Sequence, residues 1–413
     1  MPINNKLIVY LFSLLPLSII LGNFLINLNI LLINFLTLFY CIKNNEWSFI
    51  KERNFKILIT LYLYLVFNSF LNFYLNPNYG FEGILRSINF IKFIFLGFTL
   101  YIIPIKKIDL KTIFIIWIIV ILILGLDLTF EFIFKSNLLG FKSLDQTRLV
   151  SFFYDEYVAG SFLFAFGFVT IIFFFNNKVS LLQKSFFNLI LLILPILILL
   201  TGERSNFLKS IILFLIIFIF INKSFLVINK KIILVVFISI ISIFISFNNT
   251  ILIKQTEFFK RIITVKEPKN IYDYFQNIKY FAHYDAAWNI FKNHPLNGVG
   301  SKNFRNECVK KIYLNEKLKL SVQRCTTHPH QIHFELLSEQ GLIGYIIFLY
   351  FIFYLFKNKL IKNYDTNNPF DLTINLYLLV FLVPLLPSGS FFSSFNGSLF
   401  WIIFAFSNRK IYL

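Results

Sequence analysis

Apolar segments long enough to cross a lipid bilayer follow one another along most of this chain. A transmembrane helix needs about 20 mainly apolar residues, and each span must be helical because lipid offers no partner for free backbone groups. We therefore expect an all-α protein, a polytopic transmembrane helical bundle with about 12 spans. The candidate spans are 7–22, 24–42, 57–75, 84–103, 112–130, 157–175, 185–201, 206–222, 231–247, 341–356, 371–387 and 397–408. The segments within 7–42 could instead form one re-entrant hairpin.

Composition supports a membrane protein over a soluble one. Of the 413 residues, 57% are hydrophobic and only 14% are charged, whereas soluble domains carry about 25% charged residues. The net charge of +19 suggests nucleic acid at first sight, but most Lys and Arg residues flank apolar spans. Such flanking charge marks the cytoplasmic side of a membrane protein. We expect membrane lipid as a partner, no nucleic acid and no cleavable signal peptide.

The distribution of basic residues predicts the orientation of the chain. With a cytoplasmic N-terminus, the loops on the inner side carry most of the Lys and Arg, and the short outer loops at 76–83 and 388–396 carry none. Both termini are then cytoplasmic. We predict helices 1–9 in residues 1–247, a large, partly helical periplasmic loop in residues 248–340 between spans 9 and 10, and helices 10–12 in residues 341–413.

Residues that can perform chemistry gather in this long loop. It contains all five histidines of the chain, His283, His294, His328, His330 and His333. It also contains Cys308 and Cys325, which could form a disulfide in an oxidising periplasm or remain two unpaired thiols. Residues 273–291 are typical of a helix that ends before a His-Pro step.

The segment 327–344 is the densest of these sites. Pro329 suits the first turn of a helix, which would place His330 in that turn, where the helix dipole favours an anion and a neutral imidazole able to act as a base. His330 could instead merely cap the helix. A metal site built from His328, His330, His333 and nearby Glu335 is a further alternative. The residue before a proline is extended, however, so convergence of His328 with the others is not assured.

A cation at a membrane face is the second feature. Arg204 lies in the segment 200–206 between two apolar spans, and a guanidinium can grip a phosphate with two hydrogen bonds. The alternative is an ion pair between Arg204 and a carboxylate such as Glu203. Arg86 and Lys92, within a predicted span, are further candidates, although Lys92 could snorkel to the interface.

Three motifs together resemble the O-antigen ligase and polymerase superfamily. His330-Gln331, followed after nine residues by Gly341-Leu342-Ile343-Gly344, is similar to that family's histidine motif. His294–Gly300 resembles the segment that precedes it, and Thr201–Ser205 resembles a Ser/Gly-rich segment with an arginine at a membrane face. The resemblance covers roughly 185–390 of the chain.

The resemblance implies an integral-membrane glycosyltransferase of the GT-C type in the bacterial cytoplasmic (inner) membrane, with a periplasmic active site. Such enzymes move a glycan from undecaprenyl-diphosphate to lipid A-core, another glycan or a protein hydroxyl, without a metal or other cofactor. His330 would be the base, and Arg204 would stabilise the leaving diphosphate. Other residues expected in the substrate site are Arg261, His283, Arg305, His328 and Gln331.

Several alternatives stay open at this point. The second cation could be Arg261, Arg305 or Arg148, because many relatives have an arginine where this chain has His283, which could replace it or bind sugar. The motifs do not separate a ligase from a polymerase. A transporter of lipid-linked sugars would more often carry charged residues deep in several spans. A metal-dependent hydrolase would use the histidine cluster.

Overall fold

Helices make up almost all the regular structure of the residues that the structure describes. A computed structural model of the protein describes residues 5–145, 147–154, 156–175, 181–220, 279–362 and 368–412. The helices are α1 Asn5–Ser13, α2 Leu15–Ile20, α3 Asn23–Asn44, α4 Arg53–Leu75, α5 Glu82–Asn89, α6 Ile91–Ile102, α7 Lys107–Phe134, α8 Ala159–Phe175, α9 Leu181–Leu200, α10 Arg204–Phe220, α11 Lys279–Asn293, α12 Phe304–Glu307, α13 Ile332–Phe356, α14 Pro369–Phe381 and α15 Ser394–Ser407. Strands β1 Ile105–Lys106 and β2 Ile411–Tyr412 pair in parallel.

Several of these helices are long and apolar enough to cross a bilayer. The described residues contain five, and α5 and α6 together form one of them: Asn23–Asn44, Arg53–Leu75, Glu82–Ile102, Lys107–Phe134 and Ile332–Leu360. Shorter apolar helices are Ala159–Phe174, Asn188–Leu200, Pro369–Phe381 and Ser394–Ser407. The all-α prediction is confirmed. The count of about 12 spans and the side on which the long loop lies stay predictions, and the predicted span 231–247 falls outside the described residues.

Aromatic side chains fill the core between the helices. Trp117 of α7 is fully buried, and its ring centroid lies 4.8 Å from that of Phe166 in α8 and 5.2 Å from that of Phe406 in α15. Its indole N–H donates a hydrogen bond of 3.0 Å to the carbonyl of Phe12 in α1. A buried indole needs such a partner. One side chain thus joins four helices.

The chain between α14 and α15 is not helical. The predicted span 371–387 is wrong at its C-terminal end, because α14 already ends at Phe381. Pro384 and Pro387 lack the N–H that a helix interior needs, and a glycine follows at position 389. We call residues 382–393 the connecting segment, since it contacts both functional regions described below.

Helix α13 begins nine residues earlier than the predicted span 341–356 and is broken at Gly341, which has φ 63° and ψ −166°. This backbone conformation is essentially restricted to glycine. A break within a membrane helix frees backbone groups that must find other partners. These partners come from residues 295–300, here called the glycine segment.

Four backbone hydrogen bonds join the glycine segment to the break. Val299 N and Gly300 N donate to the carbonyls of Ser338 and Glu339, at 3.0 and 2.8 Å. Beyond the break, the N–H groups of residues 342 and 343 donate to the carbonyls of residues 295 and 296, at 2.8 and 3.3 Å. From α4, Asn68 Nδ2 donates 2.8 Å to the carbonyl of residue 297, and the Tyr64 hydroxyl donates 2.7 Å to that of residue 340. The freed groups are thus satisfied by protein.

Candidate active site

His330 lies just outside α13 and not in its first turn, so that expectation is wrong. The helix begins at Ile332, and the Gln331 side chain caps it by accepting a 3.0 Å hydrogen bond from Phe334 N. His330 has a left-handed φ of 55°, which is uncommon for a residue with a Cβ. Its carbonyl accepts a 2.8 Å hydrogen bond from Ser388 N in the connecting segment. The backbone therefore holds this side chain in a strained position, as functional residues often are.

Two other predicted site histidines, His328 and His283, lie beside His330. Its ring centroid lies 4.3 Å from that of His328 and 5.4 Å from that of His283. Tyr280, one turn before His283 on α11, lies 5.5 Å from His330. We call His283, His328 and His330 the histidine cluster. Residues 280 and 283 are three positions apart on α11 and therefore lie on one face of this helix. Both side chains border His330.

The loop closed by the Cys308–Cys325 disulfide orients the side chain of His283. The His283 side chain is fully buried, and its Nδ1 donates a 2.9 Å hydrogen bond to the carbonyl of Arg324. Arg324 in turn donates from Nε to the carbonyl of Cys308 at 2.8 Å. The structure joins Cys308 and Cys325 in a disulfide with Cα atoms 5.5 Å apart. Because Nδ1 carries the proton, Nε2 of His283 is an acceptor, and it has no partner among the described residues.

The surroundings keep the histidine cluster neutral. Burial, together with the neighbouring His328, His283 and Lys279, lowers the pKa of His330 to about 3. Burial also lowers the pKa of His328 and of His283 below the ordinary value. Taking an imidazolium out of water is costly, and the nearby positive charge adds to that cost. At physiological pH His330 therefore has a free lone pair.

His333, the third histidine of the alternative metal set, is engaged elsewhere. His333 Nδ1 lies 3.0 Å from the Tyr345 hydroxyl, and its Nε2 donates 2.8 Å to the carbonyl of Leu382. Within the described ranges, no three His, Cys, Asp or Glu side chains are arranged to hold a metal ion. His333 instead ties α13 to the start of the connecting segment.

Arg86 is neutralised by carboxylates from α13. Its guanidinium lies 2.5 Å from Glu335 Oε1 and 3.6 Å from Glu339 Oε2, and both carboxylates are fully buried. Glu335 also accepts hydrogen bonds from the Ser390 hydroxyl and from Phe391 N, at 2.5 and 3.0 Å. Removing one partner of a buried pair costs about 3–5 kcal/mol. Arg86 therefore positions the start of α13 and the connecting segment.

Arg204 begins α10, directly after a tight turn. The Glu203 side chain accepts hydrogen bonds from Gly160 N at 2.5 Å, from the Ser161 hydroxyl at 2.8 Å and from Asn206 Nδ2 at 2.6 Å. These groups lie at the N-terminus of α8 and in the first turn of α10, where a carboxylate is favoured by the α8 dipole. Burial raises the pKa of Glu203. This carboxylate thus fixes the turn that carries the half-buried Arg204.

A second loop and the connecting segment pack against this turn. Leu149 N donates 3.3 Å to the carbonyl of Thr201, so the neighbouring Arg148 lies beside the turn with its guanidinium over the Tyr157 ring, at 5.1 Å. The Ser205 hydroxyl donates to the carbonyl of Pro387. The next residue of the connecting segment, Ser388, donates its backbone N–H to the carbonyl of His330. The turn of Arg204 and the histidine cluster are therefore linked through two adjacent residues.

The structure places the remaining candidates as follows. Arg305 is half-buried, and its Nη2 donates 3.3 Å to the carbonyl of Thr327, just before His328. Gln331 is only 2% exposed and serves as the helix cap. Arg261 lies outside the described residues. Sequence reasoning named Glu335 only as part of a possible metal site, and it missed Glu339 and the connecting segment. The prolines at 384 and 387 were the one signal for the connecting segment.

Helices long and apolar enough to cross a bilayer are typical of an integral membrane protein. Residues 187–349, which include Arg204, the glycine segment and the histidine cluster, match the family model described as O-antigen ligase (Wzy_C). This part of the chain is therefore an O-antigen ligase family domain, and the resemblance seen in the sequence is confirmed. The family implies glycosyl transfer of the ligase or polymerase type by a membrane enzyme. No curated protein matches the chain.

Proposed function

We propose that the protein transfers an oligosaccharide or polysaccharide from undecaprenyl-diphosphate to an acceptor hydroxyl on the periplasmic face of the bacterial cytoplasmic membrane. The acceptor would be lipid A-core, another glycan or a protein hydroxyl. One observation carries this proposal: a neutral His330, held in a strained backbone conformation, is bridged to the turn of Arg204 within an O-antigen ligase domain.

In the proposed reaction His330 accepts the proton of the acceptor hydroxyl. The hydroxyl oxygen forms a bond to the anomeric carbon, and the bond from that carbon to the diphosphate breaks. The diphosphate leaves with the electron pair. An imidazole with a pKa of about 3 is a weak base, but a bound diphosphate would raise that pKa, because a nearby negative charge favours the imidazolium.

Arg204 would stabilise the negative charge that grows on the departing diphosphate. Arg148, beside the same turn, and Arg305, beside His328, are positioned as possible second cations. The proposed steps require neither a metal nor a nucleotide. The engagement of His333 with Tyr345 and Leu382 supports that part of the proposal.

We further propose the predicted topology of about 12 spans, cytoplasmic termini and a periplasmic loop at residues 248–340. The asymmetric distribution of basic residues supports it. The Cys308–Cys325 disulfide within that loop adds support, because disulfides persist in oxidising compartments such as the periplasm and are rare in the cytosol.

The test is a transfer assay with purified protein in detergent and EDTA. Undecaprenyl-diphosphate-linked oligosaccharide is mixed with lipid A-core, free glycan or a protein acceptor, and product is measured for wild type, His330→Ala and His294→Gln. We expect product from wild type and from His294→Gln, which lies outside the histidine cluster. The His330→Ala variant should lose about 100-fold or more of the rate, as expected for a general base.

The outcomes separate the alternatives. The acceptor that yields product distinguishes a ligase from a polymerase. Full activity of His330→Ala would remove this residue from the mechanism, and activity that returns only with added zinc would indicate a metal hydrolase site. Movement of the donor across a vesicle membrane without any product would favour a transporter.

A further inference from the structure

A cavity of about 430 Å³ lies at the C-terminal end of α13, whereas the histidine cluster lies at the other end of this helix. Its wall is formed by residues 52 and 54 at the start of α4, by the last turns of α6 and α13, and by residues 408–410 after α15. It shares no residue with the candidate active site. The cavity is therefore a separate site.

A π-helical turn, Lys357–Lys362, continues α13 at this cavity. Such turns are rare and often occur at functional sites. This one contributes Asn358 and Lys359 to the wall. Lys359 Nζ donates a hydrogen bond of 2.5 Å to the carbonyl of Ser407, the last residue of α15. The π-helical turn thus holds an ammonium group between the ends of two helices.

The chain after α15 adds two cations, Arg409 and Lys410, in fixed positions. Lys410 N donates 2.9 Å to the carbonyl of Leu100 in α6, and the pairing of β1 with β2 continues this attachment over the next residues. Lys410 Nζ lies 3.7 Å from the centre of the Tyr101 ring. The Arg409 side chain is only 6% exposed. Neither cation is on a free chain end.

Positive charge exceeds negative charge around the cavity. The three basic side chains of the wall are Lys359, Arg409 and Lys410. The two acidic side chains are Glu52 in the wall and Asp371, which pairs with Arg409 and lies within electrostatic range of Lys359. One positive charge is left in excess. A ligand with a single negative charge would balance it.

Two polar atoms of the wall have no partner in the part of the chain that the structure describes. Arg409 uses Nη2 for Asp371 and Nη1 for the carbonyl of Phe406, but its Nε is buried without an acceptor. Asn54 Oδ1 is buried without a donor. A buried polar atom without a partner costs free energy. A ligand group that both accepts and donates hydrogen bonds would therefore suit this wall.

Aromatic side chains indicate that the cavity lies at the level of the membrane–water interface. Tyr101 and Tyr354 line it, and Trp47 precedes α4 with 37% of its surface exposed. Tyr and Trp side chains gather at this level of a membrane. Phe353, next to Tyr354, is 57% exposed on a helix that is apolar enough to cross a bilayer. The anion available here is a phospholipid, and basic pockets between membrane helices bind lipid head groups.

We infer that this cavity binds the head group of a phospholipid with one negative charge and free hydroxyl groups, as in phosphatidylglycerol. The phosphate would lie against Lys359, Arg409 and Lys410. A hydroxyl group of the same head group would donate to Asn54 Oδ1. The inference does not depend on the proposed transfer reaction, because the cavity and the histidine cluster lie at opposite ends of α13.

The test is native mass spectrometry of the full-length protein in detergent, titrated with four probes. Phosphatidylglycerol is compared with phosphatidylmethanol, which has the same charge but no hydroxyl group, with zwitterionic phosphatidylethanolamine and with soluble glycerol 3-phosphate. The variants are Lys410→Gln and Asn54→Leu. Lys357→Gln is the matched control, because Lys357 is exposed at the same end of α13 but outside the cavity wall.

We expect wild type to bind phosphatidylglycerol more tightly than the other three probes. Lys410→Gln should weaken binding of both anionic lipids by about 5-fold, the scale of one basic residue near a lipid head group. Asn54→Leu should remove the preference for phosphatidylglycerol over phosphatidylmethanol, since it removes the acceptor for the hydroxyl group. Lys357→Gln should bind all probes as wild type does.

Equal affinities of Lys410→Gln and Lys357→Gln for phosphatidylglycerol would overturn the inference. So would binding of phosphatidylethanolamine as tight as that of phosphatidylglycerol, because the excess positive charge would then play no part. Displacement of phosphatidylglycerol by an equal concentration of glycerol 3-phosphate would overturn the assignment to a lipid. If one variant does not fold, as judged by its unfolding midpoint in detergent, the other decides.

Discussion

The charge of the His330 side chain is decided by its neighbours. Two imidazoles and a lysine surround it in a largely buried site, and this environment lowers its pKa to about 3. The adjacent histidines are neutral for the same physical reason. Their function would then depend on what binds beside them, because a bound anion changes the balance between the neutral and the protonated form.

The pH dependence of transfer should therefore differ between free and loaded enzyme. A base with a pKa of about 3 is already deprotonated throughout the usual range, so kcat/KM, which reports the free enzyme, should show no acid limb from His330 above pH 5. In the proposed reaction the donor diphosphate would raise the pKa of His330, so kcat should fall with acid at a higher pH than kcat/KM does. Steady-state profiles between pH 5 and 8 measure both.

An acid limb near pH 6.5 in kcat/KM would contradict this prediction, because it would place the pKa of His330 at its ordinary value. The His294→Gln variant is the control, since a limb that it abolishes belongs to His294. Denaturation of the protein at low pH is excluded by returning samples to pH 7.5 and measuring recovered activity.

At the residue scale, the sequence was enough to identify residues of the candidate site but not the residues that they contact. His330 and His328 were found in one short segment, and His283 from the family resemblance, because many relatives have an arginine at its position. The ion pair between Arg86 and Glu335 could not be found in this way, because the residues are 249 positions apart and no local pattern connects them. His333 was grouped with a metal set only because it is near in sequence.

At the level of elements, the backbone pairing between α13 and the glycine segment positions the histidine cluster. We call this pairing the joint. Gly298 and Gly300 both have positive φ angles, and a Cβ on Gly298 would lie 2.6 Å from the carbonyl oxygen of Ser338. Close approach of two backbones explains glycine here without any appeal to phosphate binding.

Gly341→Ala should disrupt this joint. Its φ of 63° is strained for alanine, and the added Cβ would also collide with the backbone of Leu296. Gly80→Ala is the matched control, because Gly80 has a φ of 72° but no atom within 4 Å of the added Cβ. We expect Gly80→Ala to cost about 1–3 kcal/mol from strain alone, and Gly341→Ala to cost more and to abolish transfer.

Thermal unfolding in detergent and the transfer assay measure these effects. Equal unfolding midpoints and full activity for both variants would show that this position tolerates a Cβ despite its close contact with the backbone of Leu296. Loss of activity in Gly80→Ala alone would place the sensitive turn at the α4–α5 connection.

Helix positions were predictable from apolar length because that length is set by the bilayer. The break at Gly341 was not predictable, since a glycine at the start of an apolar segment does not by itself indicate a break, and only the pairing with residues 295–300 makes it stable. The N-terminal half of α13 was missed for a related reason. Its buried carboxylates, Glu335 and Glu339, look like loop residues until their partner Arg86 is known.

A buried carboxylate holds the long loop to the helices. Glu307 is 1% exposed and accepts hydrogen bonds from Tyr79 at 2.6 Å, from Tyr313 at 2.8 Å and from Lys310 at 2.7 Å. Burial alone would raise the pKa of Glu307, but these hydrogen bonds and that from His294 outweigh it and lower the pKa to about 2. Tyr79 lies between α4 and α5, so this cluster joins the loop to the bundle.

Glu307→Gln should lower the stability of the whole protein. The folded pKa is below the ordinary value of 4.5, so the ionised side chain contributes stability above about pH 4.5, and this contribution is lost as pH falls toward 2. At neutral pH this shift of the Glu307 pKa corresponds to about 3 kcal/mol of the free energy of unfolding. Unfolding midpoints in detergent at pH 7 and pH 4 measure it.

The difference in unfolding midpoint between wild type and Glu307→Gln should become smaller as the pH falls. Glu316→Gln, an exposed carboxylate in the same loop, is the control and should match wild type at each pH. A difference in unfolding midpoint that stays constant with pH would mean that the Glu307 carboxylate contributes through packing and not through its charge.

The backbone pairing between the glycine segment and α13 also limits how this protein can be recombined with its relatives. Four main-chain hydrogen bonds connect stretches that are about 40 residues apart, and they specify register but almost no side chain. A hybrid that inherits only one of the two stretches would pair mismatched backbones at the break in α13. Exchange of residues 294–344 as a single block keeps both sides of the joint, so this block, and not the separate motifs, is the natural unit for building hybrid enzymes.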